Sequence, residues 1–308
     1  MRIGVDLGGT KIEAIALDEA GRELYRRRVP SPRDDYGATI ATVTELVRSL
    51  EAELEARGSV GIGIPGTISP ASGLVKNANS TWLIGQPLHR DLATALARPV
   101  RVQNDANCFA LSEATDGAAA GAAVVFGVIL GTGVGGGVVV RGRSIIGQNA
   151  IAGEWGHSPL PWPRDEERPG PQCYCGKRGC IETFLSGPGL TQDYAAAGGE
   201  TITAKEIAER AATGDSGAEA ALRRYEDRLA RGLAQVVNLL DPDVIVLGGG
   251  LSNLDRLYRS LSEAMPPLIF SDEITTSIRP PRHGDSSGVR GAAWLWDKEG
   301  LATADGVR

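Results

Sequence analysis

The chain has 308 residues, 42% hydrophobic and 23% charged, enough to bury a sizeable core and to divide into two domains. Its net charge of −6 argues against a general nucleic-acid binder, which needs a basic face, and no apolar run approaches the ~20 residues that span a bilayer. The sequence enters a strand pattern directly after Met1 with no secretory signal, so a cytoplasmic address is expected.

Apolar alternation on both sides of Gly8-Gly9, from Ile3 to Leu17, predicts a hairpin. Its turn, Asp6-Leu7-Gly8-Gly9-Thr10-Lys11, suits a nucleotide. The glycines let backbone approach phosphate oxygens, Thr10 and Lys11 supply donors, and Asp6 is placed to hold a hydrated Mg²⁺. Taken alone, the same residues also read as a plain turn. A helix over about 37–57 and a strand over 60–64 follow. Next comes Lys76-Asn77-Ala78-Asn79-Ser80-Thr81-Trp82, rich in amides and hydroxyls beside an indole. That composition fits either a sugar site or a polar surface loop.

A strand at 100–102 runs into Gln103-Asn104-Asp105-Ala106-Asn107 and a helix over about 105–119. Asp105, at a strand end opening a helix, is placed as a general base or as a helix N-cap. The stretch Gly131-Thr132-Gly133-Val134-Gly135-Gly136 formally satisfies the G-x-G-x-x-G dinucleotide fingerprint. That fingerprint needs a following helix, whereas Val138-Val139-Val140 continues as strand, so a second hairpin is expected. Two strand–glycine turn–strand units, each with a threonine, suggest two similar halves that each present a phosphate loop.

Between Gly153 and Glu182 lie three of the four cysteines and one of the three histidines. His157, Cys173, Cys175 and Cys180 form a Cys₃His set, the ligands of a closed tetrahedral zinc site, and Glu154 and Glu182 flank it without being needed by a metal. Cys108 stands apart and reads as a buried small residue. Further helices are expected at about 204–212 and 218–240. The strand Val244–Leu247 then enters Gly248-Gly249-Gly250 before an amphipathic helix over 254–265, a tight turn or a seat for a nucleoside on bare backbone. Strands alternating with helices place the chain in the α/β class.

Glycine loops, an Asp near an amide-rich loop and acidic residues beside a metal knot together form a kit for ATP and a polyhydroxylated acceptor. With these motifs in this order, the chain resembles the ROK family of bacterial sugar kinases almost throughout. The segments Lys76–Leu83, Ala152–His157, Asp241–Gly250 and His283–Trp296 are similar to its fructokinase, or manno(fructo)kinase, branch. The resemblance implies an actin-like, ribonuclease H-like ATPase fold of two similar α/β domains around a cleft. It divides the chain into residues 1–115, completed by a C-terminal helix at 286–308, and residues 116–285. The activity implied is ATP-dependent phosphorylation of a hexose at O6, most often fructose, with mannose, glucose or an N-acetylated hexosamine as alternatives.

By the same resemblance Asp105 is the general base. Gly66, Asn79, Asn104, Asp105, Glu154, His157 and Glu182 face the sugar, and His157 uses one ring nitrogen for zinc and the other for a sugar hydroxyl. Asp6, Gly8, Gly9, Thr10, Lys11, Gly131, Thr132 and Gly133 face phosphates and Mg²⁺, with Gly249 near the adenosine. A homodimer is the family expectation. The sugar-responsive repressors of the family carry a DNA-binding domain ahead of the first glycine turn, which already begins here at Asp6.

Overall fold

A computed structural model of the chain describes residues 1–284 and 287–296. It divides into two compact units: residues 1–120, 137–152 and the C-terminal segment form the first, residues 121–136 and 153–284 the second. Of the C-terminal helix expected at 286–308, only Ser287–Ala293 is helical, residues 294–296 have left the helix, and residue 286 and residues 297–308 lie outside the described residues.

The first unit is built on a sheet of order β3-β2-β1-β4-β7. Its strands are β1 (Arg2–Leu7), β2 (Lys11–Leu17), β3 (Glu23–Pro30), β4 (Ser59–Ile64) and β7 (Val100–Asn104). β1–β2–β3 are antiparallel, while β1–β4–β7 are parallel. A small ribbon, β5 (Thr67–Ile68) with β6 (Val75–Lys76), carries the amide-rich loop.

Strand alternation sorts the two faces of this sheet. Ile3, Val5, Leu7, Val60 and Ile62 pack with Val43, Val47 and Leu50 of α1 (Tyr36–Glu53) and with Leu88 and Leu92 of α2 (Leu88–Leu96). On the opposite face Ile15 and Leu17 meet Val289 and Ala293 of α9 (Ser287–Ala293). Here Gly4 and Gly61 let α9 lie directly on the strands, since a Cβ at either would fall 2.0 or 1.9 Å from the carbonyl oxygen of Val289 or Ala292. α3 (Asp105–Thr115) packs beside α9 on this face, with Cys108 under Gly63.

The second sheet has the order β10-β9-β8-β11-β12. β8 (Val124–Leu130) and β9 (Val134–Val140) flank the Gly131–Gly133 turn, and β10 (Arg143–Ser144) pairs antiparallel with the end of β9. β11 (Val244–Gly248) is parallel to both β8 and β12 (Ser277–Arg279). A meander followed by two parallel strands therefore occurs twice, and this repeat is the actin-like, ribonuclease H-like α/β fold. β9 begins in the second unit and ends in the first.

Helices α4 (Ile181–Leu185), α5 (Gly187–Ala196), α6 (Ala204–Ala212), α7 (Ser216–Leu240) and α8 (Arg256–Ala264) complete the second unit. α7 is capped by Asp215, which accepts from Ala218 N at 2.9 Å. Its buried face, Leu222, Tyr225, Leu229, Leu233 and Val237, follows the three-to-four residue period of an amphipathic helix. Two helices stop short of their expected spans: α1 ends at Glu53, where Glu55 turns to a φ of 47°, and α3 ends at Thr115 rather than at 119.

Candidate functional site

In the first unit, β1 delivers Asp6 opposite Glu13 of β2, and Gly8 N donates to Lys11 O at 3.0 Å to close the turn. Burial and the neighbouring Glu13 push the Asp6 carboxyl up to about 6, against the opposing pull of Lys11 and Arg28. Thr10 at the tip is exposed, with Gly8, Gly9 and Lys11 half-buried.

At the end of β7 the N-cap reading of Asp105 does not hold. Asn104, not Asp105, is the N-cap of α3: its Oδ1 accepts from Ala106 N at 2.9 Å and Asn107 N at 3.3 Å. The Asn104 amide also donates to Gly66 O at 3.2 Å. Asp105 is the first residue of the helix, half-buried, with Oδ1 2.8 Å from Ala106 N. Gly66 abuts Ala78, where a Cβ would come within 2.8 Å, and Asn79 N donates to Pro65 O at 3.0 Å, which anchors the amide-rich loop beside Asn104. The Asn79 side chain is exposed. The first unit thus brings Gly66, Asn79, Asn104 and Asp105 into one neighbourhood.

In the second unit, the turn after β8 is closed by Gly131 N donating to Gly133 O at 3.0 Å, and Gly187 N at the start of α5 donates to Gly131 O at 2.8 Å. Glu182, on α4, accepts from Val134 N at 2.9 Å. A Cβ on Gly133 would lie 2.7 Å from that carboxylate, so any other residue there would displace the Glu182 side chain. One oxygen of Glu182 thereby ties the metal-site segment to the glycine turn.

The expected metal ligands do converge. The donor atoms of His157, Cys173, Cys175 and Cys180 lie within 4.8 Å of one another, with Cys173 Sγ 3.5 Å from His157 Nδ1 and Cys175 Sγ 3.6 Å from Cys180 Sγ. A tetrahedron with Zn–S bonds of ~2.3 Å has edges of about 3.8 Å, so the set has the size and chemistry of a zinc site. Local backbone bonds preform it. Cys173 N donates to Lys177 O at 2.8 Å, Ile181 N to Ser158 O at 2.9 Å, and His157 N to Glu154 O at 3.2 Å. Burial pushes the Cys180 thiol up to about 12, while the Lys177 N–H draws the Cys175 thiol down. His157 Nε2 is engaged by Tyr174 Oη at 2.9 Å, a neighbour that the sequence reading did not single out.

The long loop before Cys173 is anchored by charge. Glu167 Oε1 accepts from Arg228 Nε at 2.8 Å and Arg231 Nη2 at 2.7 Å, and its Oε2 accepts from Arg231 Nη1 at 2.9 Å and Arg164 N at 2.8 Å. Burial would raise this carboxyl, but Arg231 and Arg228 outweigh it and hold it down at about 2.

A cavity of about 830 Å³, within the range of small-molecule and cofactor sites, opens beside Gly131 and Thr132. Its walls include Thr132, Pro188, Ala204, Lys205, Ala208 and Leu251. Gly250 is among the lining residues and the preceding Gly249 is not; Gly249 stands at a φ of +82° with its missing Cβ only 2.4 Å from Leu130 O. The walls from α5 and α6 were not expected. Their signal was the period-four alanines Ala204, Ala208 and Ala212, which resemble an ordinary helix face.

Residues 2–299 match the family model described as ROK family. An N-acetyl-D-glucosamine kinase of Yersinia pseudotuberculosis is 42% identical over 299 residues, 96% of this chain and 98% of the relative. The crystal structure of a ROK hexokinase from Thermus thermophilus is 34% identical and superposes with a TM-score of 0.85, covering 95% of this chain and 96% of that one. A Streptomyces griseus ROK glucokinase, solved with glucose and AMPPNP, is 28% identical with a TM-score of 0.77, over 96% and 98% of the two chains. Among the described residues no helix is long and apolar enough to cross a membrane. The chain belongs to the ROK family.

Proposed function

We propose that this protein is a sugar kinase that transfers the γ-phosphoryl group of ATP to O6 of a hexose, with N-acetyl-D-glucosamine as the preferred acceptor. The relatives support an N-acetylated hexosamine over the fructose that the sequence motifs suggest. The observation that carries the catalytic part is the division of labour at α3. Asn104 is the N-cap of α3, and Asp105, the first residue of the helix and half-buried, is the carboxylate placed there to accept the proton of the attacking hydroxyl. Asn104 then acts chiefly by fixing Asp105 and Gly66, while Gly66 and Asn79 line the sugar side of the first unit.

In the second unit, Glu154, His157 and Glu182 are assigned sugar-facing roles. Asp6, Gly8, Gly9, Thr10, Lys11, Gly131, Thr132 and Gly133 serve the phosphates, and the cavity beside Gly249 accepts the adenosine. Asp6 would hold a hydrated Mg²⁺, which neutralises phosphate charge when bound. His157, Cys173, Cys175 and Cys180 would hold a structural zinc that fixes the segment bearing Glu154 and Glu182. Phosphoryl transfer is dominated by positioning and charge stabilisation, and the rigid turns of both units serve that role.

The test is a coupled ADP-release assay comparing kcat/KM across N-acetyl-D-glucosamine, N-acetyl-D-mannosamine, glucose, mannose and fructose. Preference for N-acetyl-D-glucosamine is the expected result. Efficient turnover of fructose or glucose alone would refute the acceptor, and no turnover of any hexose would refute the kinase reading.

A further inference from the structure

Arg26 and Arg28 of the edge strand β3 both turn to the buried Glu13, at 2.9 and 2.6 Å, and their charge is neutralised there. Arg33, in the short segment between β3 and α1, is different. It is exposed, and among the described residues no carboxylate forms an ion pair with it, although Asp34 and Asp35 follow it in sequence. Asp35 is engaged instead as the cap of α1, accepting from Ala38 N at 2.8 Å.

Arg33 is nevertheless held in place. Its Nε donates to Gly9 O at 3.2 Å, in the middle of the first glycine turn. The segment that carries it is fixed as well: Ser31 N donates to Thr10 O at 3.0 Å, and Pro30 and Pro32 restrict the backbone on either side of Ser31. One edge of the guanidinium therefore docks on the turn, while Nη1 and Nη2 keep N–H groups for another acceptor. A planar, pre-oriented and permanently charged fork is the side chain that best matches phosphate oxygens.

The same turn adjoins the amide-rich loop. A Cβ on Gly9 would lie 3.3 Å from Ser80 Oγ, and Ser80 directly follows Asn79. Trp82 Nε1 donates to Thr39 Oγ1 at 3.3 Å, and that hydroxyl donates to Asp35 O at 2.8 Å, so the loop is also tied to the start of α1. Arg33, the Gly8–Thr10 turn and the loop assigned to the sugar thus form one connected neighbourhood within the first unit. For a sugar held by that loop, the nearest phosphate is the one being transferred.

Given the sugar-kinase reading, on which this assignment rests, we propose that Arg33 is a phosphate-binding residue whose guanidinium, docked on Gly9 O, contacts the phosphoryl group in transfer. No bond is made or broken at Arg33. The O6–P bond forms, the bond to ADP breaks, and the hydroxyl proton goes to Asp105, while Arg33 offsets charge on the equatorial phosphate oxygens. The contact persists in the product, the sugar 6-phosphate.

The experiment compares wild type, Arg33→Met and Arg33→Lys. Calorimetric titration without ATP measures affinity for N-acetyl-D-glucosamine and fructose, for the 6-phosphate of each, and for ADP; coupled kinetics give kcat and KM. Arg33→Met keeps the apolar stem and removes the charge. It should bind free sugar and ADP within about 2-fold of wild type, as expected of a surface substitution that touches neither. The sugar 6-phosphate should bind about 10-fold or more weakly, the loss of a hydrogen bond to a charged group, and kcat should fall about 10–100-fold. Arg33→Lys keeps the charge without the docking fork and should lie between the two. Added salt should narrow the gap between wild type and Arg33→Met for the 6-phosphate.

Equal weakening of sugar and sugar 6-phosphate would overturn the assignment, because Arg33 would then only brace the loop. Wild-type affinity for the 6-phosphate together with wild-type kcat would overturn it too, as would a loss of ADP affinity as large as that of the 6-phosphate. If wild type phosphorylates no hexose, the kinase reading falls and takes the role of Arg33 with it. A wild type that turns over sugar while Arg33→Met matches it sinks only the role of Arg33.

Discussion

Glu167 offers a direct test of how the segment before Cys173 is held. The residue is 6% exposed and accepts four hydrogen bonds, three from the guanidinium groups of Arg228 and Arg231. Glu167→Ala removes the acceptor and leaves two buried guanidinium groups, a situation that typically costs 3–5 kcal/mol. The structure moderates that figure. Arg228 keeps Asp193 at 2.7 Å, and Arg231 keeps Asp227 at 2.8 Å together with the carbonyls of Pro161 and Trp162. A loss of about 3 kcal/mol is therefore expected, which at ~2–4 °C per kcal/mol lowers Tm by about 6–12 °C. Differential scanning calorimetry at neutral pH measures it, and a Tm within about 2 °C of wild type would refute the reasoning. The pH dependence has a defined sign. The folded-state carboxyl is depressed to about 2, so its contribution is complete above the unfolded value of 4.5 and is lost as pH falls from 4.5 towards 2. The Tm gap between wild type and Glu167→Ala should close over that window.

The remaining predictions concern the site itself. Asp105→Ala should reduce kcat by at least ~10²-fold while sugar affinity by calorimetry stays within a few-fold, and near-normal turnover would exclude Asp105 as general base. Cys175→Ala should lose most of its zinc by elemental analysis and weaken sugar binding in parallel; undiminished zinc would remove Cys175 from the ligand set. Gly249→Ala should raise the KM for ATP by ~10-fold or more, or prevent folding, because its Cβ would lie 2.4 Å from Leu130 O at a φ of +82°. A soluble variant with wild-type ATP kinetics would show that the turn yields.

Much of this fold is visible in local pattern. The alternation around Gly8-Gly9 and Gly131–Gly133 specifies two hairpins, and the clustering of His157 with three cysteines points to a metal-sized knot before any coordinate is seen. The division of roles within Asn104-Asp105 was not legible. Either side chain can cap a helix, and the choice depends on Gly66, a residue distant in sequence that receives the Asn104 amide. Tyr174 was invisible for a similar reason. Between two cysteines a tyrosine reads as filler, and its contact with the imidazole depends on which His157 nitrogen faces the sulfurs. The alanines of α6 were passed over because small residues that line a cavity and small residues on a solvent face give the same periodicity. Sequence period reports which face is special, while tertiary packing decides what it is special for.

The strand β9 passes from one unit to the other between Gly136 and Gly137, in the middle of its hydrogen-bonded run. The chain also changes units near residues 120, 152 and 284, so neither half is a contiguous stretch of polypeptide. No single cut can release one half intact, and a break at the most tempting glycine pair would open a sheet rather than a linker. Independent production of either half would require rejoining distant segments in a new order. For the same reason an insertion or fusion is tolerated better on an exposed loop such as the tip near Phe270 than at any boundary between the halves.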